Sequence, residues 1–281
     1  MSEATNLSDK PEIVIVAGRG ERRYWLDLWR YRELFWFLAW RDILVRYKQT
    51  VIGVAWTLLR PLLTLIAFTL VFGKLAGLES GGLPYALIVI SGLLPWLFFA
   101  NAFSEAANSM MDNASLITKV YFPRIIIPAS AVIVSLVELL LSLLILAGLL
   151  LLYGHWPGWP ILLLPLFVAL AFAAAVGAGL WLAALNVKYR DFRYVIPFVV
   201  QIGLYVSPVG YTSALVPEAW RLAFSLNPMV AAIDGFRWSV LGAGHEPWWP
   251  GFAVSCSVVA LLLFVGVRYF RSMEKSFSDM I

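Results

Sequence analysis

The sequence predicts an all-α integral membrane protein with six transmembrane helices, an N-terminal amphipathic interface helix and a re-entrant outer helical hairpin between spans 5 and 6. Three observations carry that prediction. Acidic and basic residues are absent from residues 80–104, 139–187, 194–217 and 247–267, and from the shorter runs 61–73 and 125–137. A bilayer core of about 30 Å takes roughly 20 apolar residues per helix, whose backbone groups bond within their own segment. The composition, 61% hydrophobic and 14% charged with a mean hydropathy of +0.82, lies far from that of a soluble domain. Finally, 18 of the 21 Lys and Arg residues fall in the pieces that a cytoplasmic N-terminus would place inside. That bias orients the chain with both termini in the cytoplasm.

Each element follows in order. Residues 1–30 carry acids and bases throughout, with no apolar core before a small-residue cleavage site, and read as a cytoplasmic N-terminal tail. Residues 31–281 form the membrane domain. Over residues 33–51, Trp36, Trp40, Ile43, Leu44, Tyr47 and Val51 share a helical arc of about 100°, with Arg41, Asp42, Arg46, Lys48 and Gln49 opposite. Such a helix lies in the membrane interface, either as an anchor or as a docking surface for a cytosolic partner. Spans are expected at residues 55–75, 84–103, 125–153, 161–185, 194–213 and 251–268. The third and fourth are separated by Tyr-Gly-His-Trp-Pro-Gly-Trp-Pro at 153–160, dense in turn formers and interfacial aromatics. Between the fifth and sixth spans, apolar stretches at 219–226 and 229–241 flank Asn227-Pro228 and are interrupted by Arg221, Asp234 and Arg237. Each stretch is too short to cross. The resulting hairpin either caps the bundle or gates the outer end of a pathway.

Enzymatic chemistry finds little support. There is no Gly-x-x-x-x-Gly-Lys-Ser/Thr loop for ATP phosphates. His155 and His245 sit in outer turns without metal-ligand spacing, and Cys256 is the single cysteine, so no catalytic or metal-binding residue is assigned. The net charge of +4 is accounted for by topology and carries no implication of nucleic acid. Glu138 is the one acid clearly inside a span, either a functional group or a bundle or dimer contact. Polar and aromatic residues repeat at helical spacing in the first span (Thr57, Thr64, Phe68, then Phe72) and the fifth (Phe198, Gln201, Tyr205, then Tyr211). Such a stripe suits a sliding sugar polymer, and it equally suits helix packing. Arg60, one turn into the first span, either snorkels to headgroups or meets a phosphate.

Four motifs occur in one order between the spans: Arg41-Asp-Ile-Leu-Val-Arg46-Tyr-Lys48-Gln-Thr with Gly53, Trp56 and Pro61; Asn113-Ala-Ser115-Leu116-Ile117-Thr-Lys119 through Tyr121-Phe-Pro-Arg124; Asn186-Val-Lys-Tyr-Arg-Asp191; and Leu226-Asn227-Pro228-Met229 through Phe236-Arg237. From about Tyr31 onward the chain resembles the membrane subunit of ABC-2-type polysaccharide exporters, which move O-antigen, capsular polysaccharide and teichoic acid. The resemblance implies a multi-pass permease of the bacterial inner membrane. It implies a homodimer joined by two copies of a separate ABC ATPase that holds the ATP and Mg, with no cofactor on this chain. It assigns Asn113, Ser115, Leu116, Ile117 and Lys119 to the ATPase coupling element, and Asn227, Pro228 and Arg237 to the outer gate. Thr57, Thr64, Phe68, Phe72, Phe198, Gln201, Tyr205 and Tyr211 would line the translocation path. Arg41, Arg46, Lys48 and Arg60 would meet the lipid diphosphate of a lipid-linked polysaccharide, with O-antigen the leading cargo. Capsule or teichoic acid export is the alternative; a secondary transporter would show paired intramembrane acids or matched interrupted helices, and neither occurs.

Without a phosphate loop, the purified chain should hydrolyse no ATP by itself, and activity should appear only with a second polypeptide; a phosphate-release assay on the isolated chain checks this.

Overall fold

The structure, a computed structural model, describes residues 21–48, 53–75, 77, 82–120 and 122–277. The first twenty residues of the expected tail and residues 49–51 of the expected interface helix, Val51 included, lie outside these. Every regular element among the described residues is helical. Helices α1 (Glu21–Arg30) and α2 (Arg32–Lys48) precede α3 (Gly53–Phe68), which continues as a π-helical stretch over Thr69–Leu75. Next come α4 (Tyr85–Asp112), the short α5 (Ala114–Lys119), α6 (Ile126–Leu152) and, after a 3-10 turn at Trp159–Leu163, α7 (Leu164–Lys188). The remainder is α8 (Phe192–Val206), the short α9 (Glu218–Phe224), α10 (Met229–Leu241) and α11 (Trp249–Met273).

Five of these helical segments are long and apolar enough to cross a membrane, namely Ala55–Leu75, Tyr85–Asp112, Ile126–Leu152, Trp159–Lys188 and Trp249–Met273. Three crossings run past their expected ends. The second was expected to stop at residue 103, ahead of Glu105, yet α4 continues to Asp112. Its 28 residues extend about 42 Å at 1.5 Å each, more than a bilayer core needs. Charge limits where a helix is immersed; it does not stop the hydrogen-bonded ladder.

The fifth span differs the other way. It was expected over 194–213, but α8 ends at Val206, about 22 Å long. Pro208 explains the stop: it lacks an N–H for the next helical bond and forces the preceding residue out of the helical region. Ser207 accordingly has φ −90° and ψ 152°. The chain then packs Gly210 against Phe68 and Phe72, where a Cβ would lie 2.9 Å from the Phe68 ring. The Tyr85 hydroxyl donates to the Gly210 carbonyl, tying the start of α4 to this break.

Helix α4 is the central pillar. Every residue from Leu87 to Ala100 except Leu97 is buried, and the helix packs against α3, α6, α7, α8 and α10. Small residues permit such crowding: a Cβ on Gly179 of α7 would lie 2.6 Å from the Ala106 methyl of α4. The closest approach joins α7 to α11, where the backbones meet at Gly177 and Gly266. Helix α2 has two apolar sides. Leu38 and Ala39 are buried, Leu38 in a second core with Met110, Ile117, Phe122, Phe270 and Phe277. Trp36 and Trp40 of the expected arc are 63% and 62% exposed on the face turned from the protein, as suits an interfacial helix.

Gly266→Leu should destabilise the bundle by about 1–3 kcal/mol or more by forcing α7 and α11 apart, whereas Gly148→Ala in α6, with open space around it, should be neutral or stabilising. Thermal unfolding of the purified proteins in detergent measures both.

Candidate functional site

The polar groups of the bundle concentrate at two levels. Near the α5 end, a cavity of about 400 Å³ opens between α2, α3, α4 and α6. Ser135, Glu138 and Ser142 line it because a spacing of three or four residues places them on one face of α6. Glu138 does not stand alone as it does in its own span. Its Oε1 lies 2.9 Å from Arg46 Nε of α2, and its Oε2 accepts from Asn101 Nδ2 of α4 at 2.8 Å. Arg46 also donates through Nη1 to Glu105 Oε1 at 3.0 Å. A nearly buried carboxylate is costly unless paired and hydrogen-bonded, and here two other helices, α2 and α4, supply the partners. Thr57 and Arg60 of α3 complete the wall.

The four expected lipid-diphosphate cations fall into two kinds. Arg41 is committed to Asp42 at 2.7 Å and donates to Asn113 Oδ1 at 2.8 Å, joining α2 to the residue that opens α5. Arg46 is committed to Glu105 and Glu138. Lys48 and Arg60 are exposed. Of the expected path residues, Thr57 lines the cavity, and Thr64 is half-buried with its hydroxyl donating to the Arg60 carbonyl at 2.9 Å. Phe68 and Phe72, with ring centroids 5.3 Å apart, pack on the break after α8. Tyr211 donates to the Tyr205 and Val206 carbonyls across that break. Phe198, Gln201 and Tyr205 are exposed along α8, facing away from the core of their own chain.

The expected coupling residues lie on and before α5. Ile117 is 4% exposed and pins the short helix onto the second core, with Leu116 packed at its edge, whereas Ser115, Thr118 and Lys119 face outward. Behind α5, the Arg124 backbone N–H donates to Glu274 Oε1 at 2.6 Å and the Arg124 guanidinium donates to the Glu274 carbonyl. The Tyr24 ring lies under the Arg271 guanidinium at 4.5 Å. Burial raises the Glu274 carboxyl above its usual range, against the pull of Arg124 and Tyr24. The last residues of the expected tail are therefore helical and tied to the chain end, a role not legible from residues 1–30 themselves.

At the opposite end the three expected gate residues are brought together. Arg237 is 2% exposed, and its Nη2 donates to the Pro208 carbonyl at 2.6 Å while Nη1 donates to Asp234 Oδ1 at 3.3 Å. Asn227 donates to Ser207 Oγ at 2.9 Å and accepts from the Met229 N–H at 2.9 Å, and Ser255 of α11 donates to its carbonyl. Pro228 opens α10, where its missing N–H goes unneeded. Sequence reasoning missed Asn101, Ser207, Asp234 and Ser255 as partners. Asn101 carried a signal, as the one amide in the charge-free run 80–104.

Comparison with known proteins places this geometry. Residues 33–241 match the family model described as ABC-2 type transporter. The chain is 28% identical over 257 residues to the O-antigen export system permease protein RfbA of Myxococcus xanthus, covering 91% of this chain and 98% of that protein. It is 25% identical to the Klebsiella pneumoniae protein of the same name, over 86% of this chain and 92% of that one. It is 24% identical to the capsule polysaccharide export inner-membrane protein CtrC of Neisseria meningitidis, over 85% and 91%. With five of the described helices long and apolar enough to cross a membrane and the family match over most of its length, the chain belongs to the ABC-2 type transporter family.

Proposed function

We propose that this chain is the membrane subunit of an ATP-driven exporter that carries a lipid-linked polysaccharide, O-antigen first among candidates, from the cytoplasmic face across the bacterial inner membrane. The observation that carries the reading is similarity over 91% of this chain and 98% of a relative named for O-antigen export. In this reading both termini are cytoplasmic, two copies pair, and two separate ATPase subunits dock beneath them. The exposed flanks of α3 and α8 then face the partner copy and the polymer. Lys48 and Arg60, which make no ion pair among the described residues, meet the lipid diphosphate, Arg60 from the cavity wall. Helices α9 and α10 form the re-entrant hairpin that closes the outer end. The similarity to CtrC supports capsule export as the second reading.

ATP closure of the ATPase pair moves the spans only through a stiff contact. Helix α5 has that stiffness because Arg41 holds Asn113 and Ile117 is buried beneath it. Reconstituted with its ATPase in sealed vesicles, the complex should move lipid-linked glycan across the membrane on addition of ATP; glycan that stays on its starting face refutes the reading.

The two faces of α5 should separate in mutagenesis. Thr118→Asp with Lys119→Glu should leave the yield of folded protein unchanged while reducing ATPase co-purification. Ile117→Asp should instead lose the folded protein, since an unpaired carboxylate in that core costs several kcal/mol. Size-exclusion profiles with quantified subunit ratios distinguish the outcomes.

A further inference from the structure

A second cavity, of about 690 Å³, opens at the end of the bundle opposite α5, among α9, α10, the first turn of α11 and the loop after α10. It shares no lining residue with the cavity at Glu138. Its volume falls in the range of small-ligand sites, about 300–1,000 Å³. Three of its lining residues hold buried nitrogens with no close hydrogen-bond partner among the described residues, His155 Nε2, His245 Nδ1 and Arg237 Nε, although the His245 ring also interacts with the Ala243 backbone. Buried polar atoms are nearly always paired, so hydrogen-bonding capacity is concentrated in this wall.

The charges decide what kind of guest suits it. Arg221 and Arg237 are offset by Asp234 and Glu246 in the same lining. Asp234 also accepts from Ser213 Oγ at 2.5 Å, Arg221 Nε donates to the Val216 carbonyl at 2.9 Å, and Glu246 accepts from the Gly244 N–H at 3.0 Å. An anion or a cation gains no net attraction from a balanced and internally committed set. Phe224, Trp248 and Phe252 add aromatic surface. Burial and the nearby Arg237 hold the His245 imidazole below its ordinary value. It is thus neutral at pH 7, one nitrogen donating and the other accepting. A hydroxyl has the same two-way capacity.

We propose that this outer cavity binds an uncharged, polyhydroxylated ring, a sugar unit of the exported polymer, as it leaves the gate. The proposal rests on the polysaccharide reading above. The three nitrogens are buried on residues that line the cavity, so binding in this proposal turns the two imidazoles toward the sugar hydroxyls. A sugar held at the exit would disfavour backsliding between ATP cycles.

The test uses the transporter with its ATPase in lipid nanodiscs, and as probe the glycan released from its lipid by mild acid from the same cells. Titration calorimetry should give saturable binding. His155→Ala with His245→Ala should weaken it by about tenfold, the loss of one or two hydrogen bonds. Ala214→Trp, which fills the cavity from an exposed lining position, should abolish it, with thermal unfolding verifying that each variant is folded. Unchanged affinity in both folded variants, no saturable binding to the wild type, or displacement of the glycan by glycerol 1-phosphate as a headgroup probe would overturn the proposal. Export by the same wild-type complex is measured in parallel: export without binding refutes the cavity alone, and absence of glycan export refutes the functional reading.

Discussion

A chain that breaks its helix inside an apolar bundle exposes backbone carbonyls that nothing in lipid can satisfy. That constraint organises the end of the molecule opposite α5. After Val206 the chain leaves the helix at Ser207-Pro208, and Arg237 reaches from α10 to the Pro208 carbonyl while paired with Asp234. A guanidinium suits this task because its planar fork serves several acceptors at once. Gly92 on α4 makes room for it: a Cβ there would lie 2.6 Å from Arg237 Nη2. Removing the arginine would strand both a carboxylate and the broken chain. Asn227 and Arg237 thus hold α4, the end of α8, α10 and α11 in one register.

The α5 end answers a different requirement. Its polar groups meet largely between helices: Arg41 with Asn113, Arg46 with both Glu105 and Glu138, Arg124 with Glu274. Each pair fastens a peripheral element to the bundle. Helix α2 is held by Arg46 against α4 and α6, α5 is held by Arg41 from α2, and the end of α11 is held by Arg124. Force applied at α5 therefore reaches α2, α4 and the chain end through ion pairs and the core around Leu38, Ile117 and Phe277. The coupling to a separate ATPase proposed above rests on such a contiguous, stiff set.

The two cavities differ in the same way. The one at Glu138 is bounded by an ion network with exposed Arg60 at its edge, the arrangement on which the proposed contact with a charged headgroup rests. The outer one has its charges balanced and one buried nitrogen of each imidazole without a close partner among the described residues, the basis of the proposed binding of neutral hydroxyls.

The sequence by itself determined the class of the fold, the order of the crossings and the two short apolar stretches at residues 219–226 and 229–241, because charge-free runs, prolines and turn residues are local properties of the chain; the element at residues 113–119 was marked only by the family resemblance. It also marked the cations of α2 and the lone Glu138. It did not determine how long each helix runs, since Glu105 interrupts apolarity without interrupting hydrogen bonding, and Pro208 stops α8 inside an apolar run. Nor could it say which face of α2 meets the protein, because both Leu38 and Trp40 are apolar and only packing against α6 separates them. Tertiary structure alone decided the partners: Glu138 with Arg46 across 92 residues of chain, and Arg237 with a proline carbonyl 29 residues away. Such pairs carry no periodicity. They arise because a polar group driven into an apolar interior must find whatever complement the fold brings within reach.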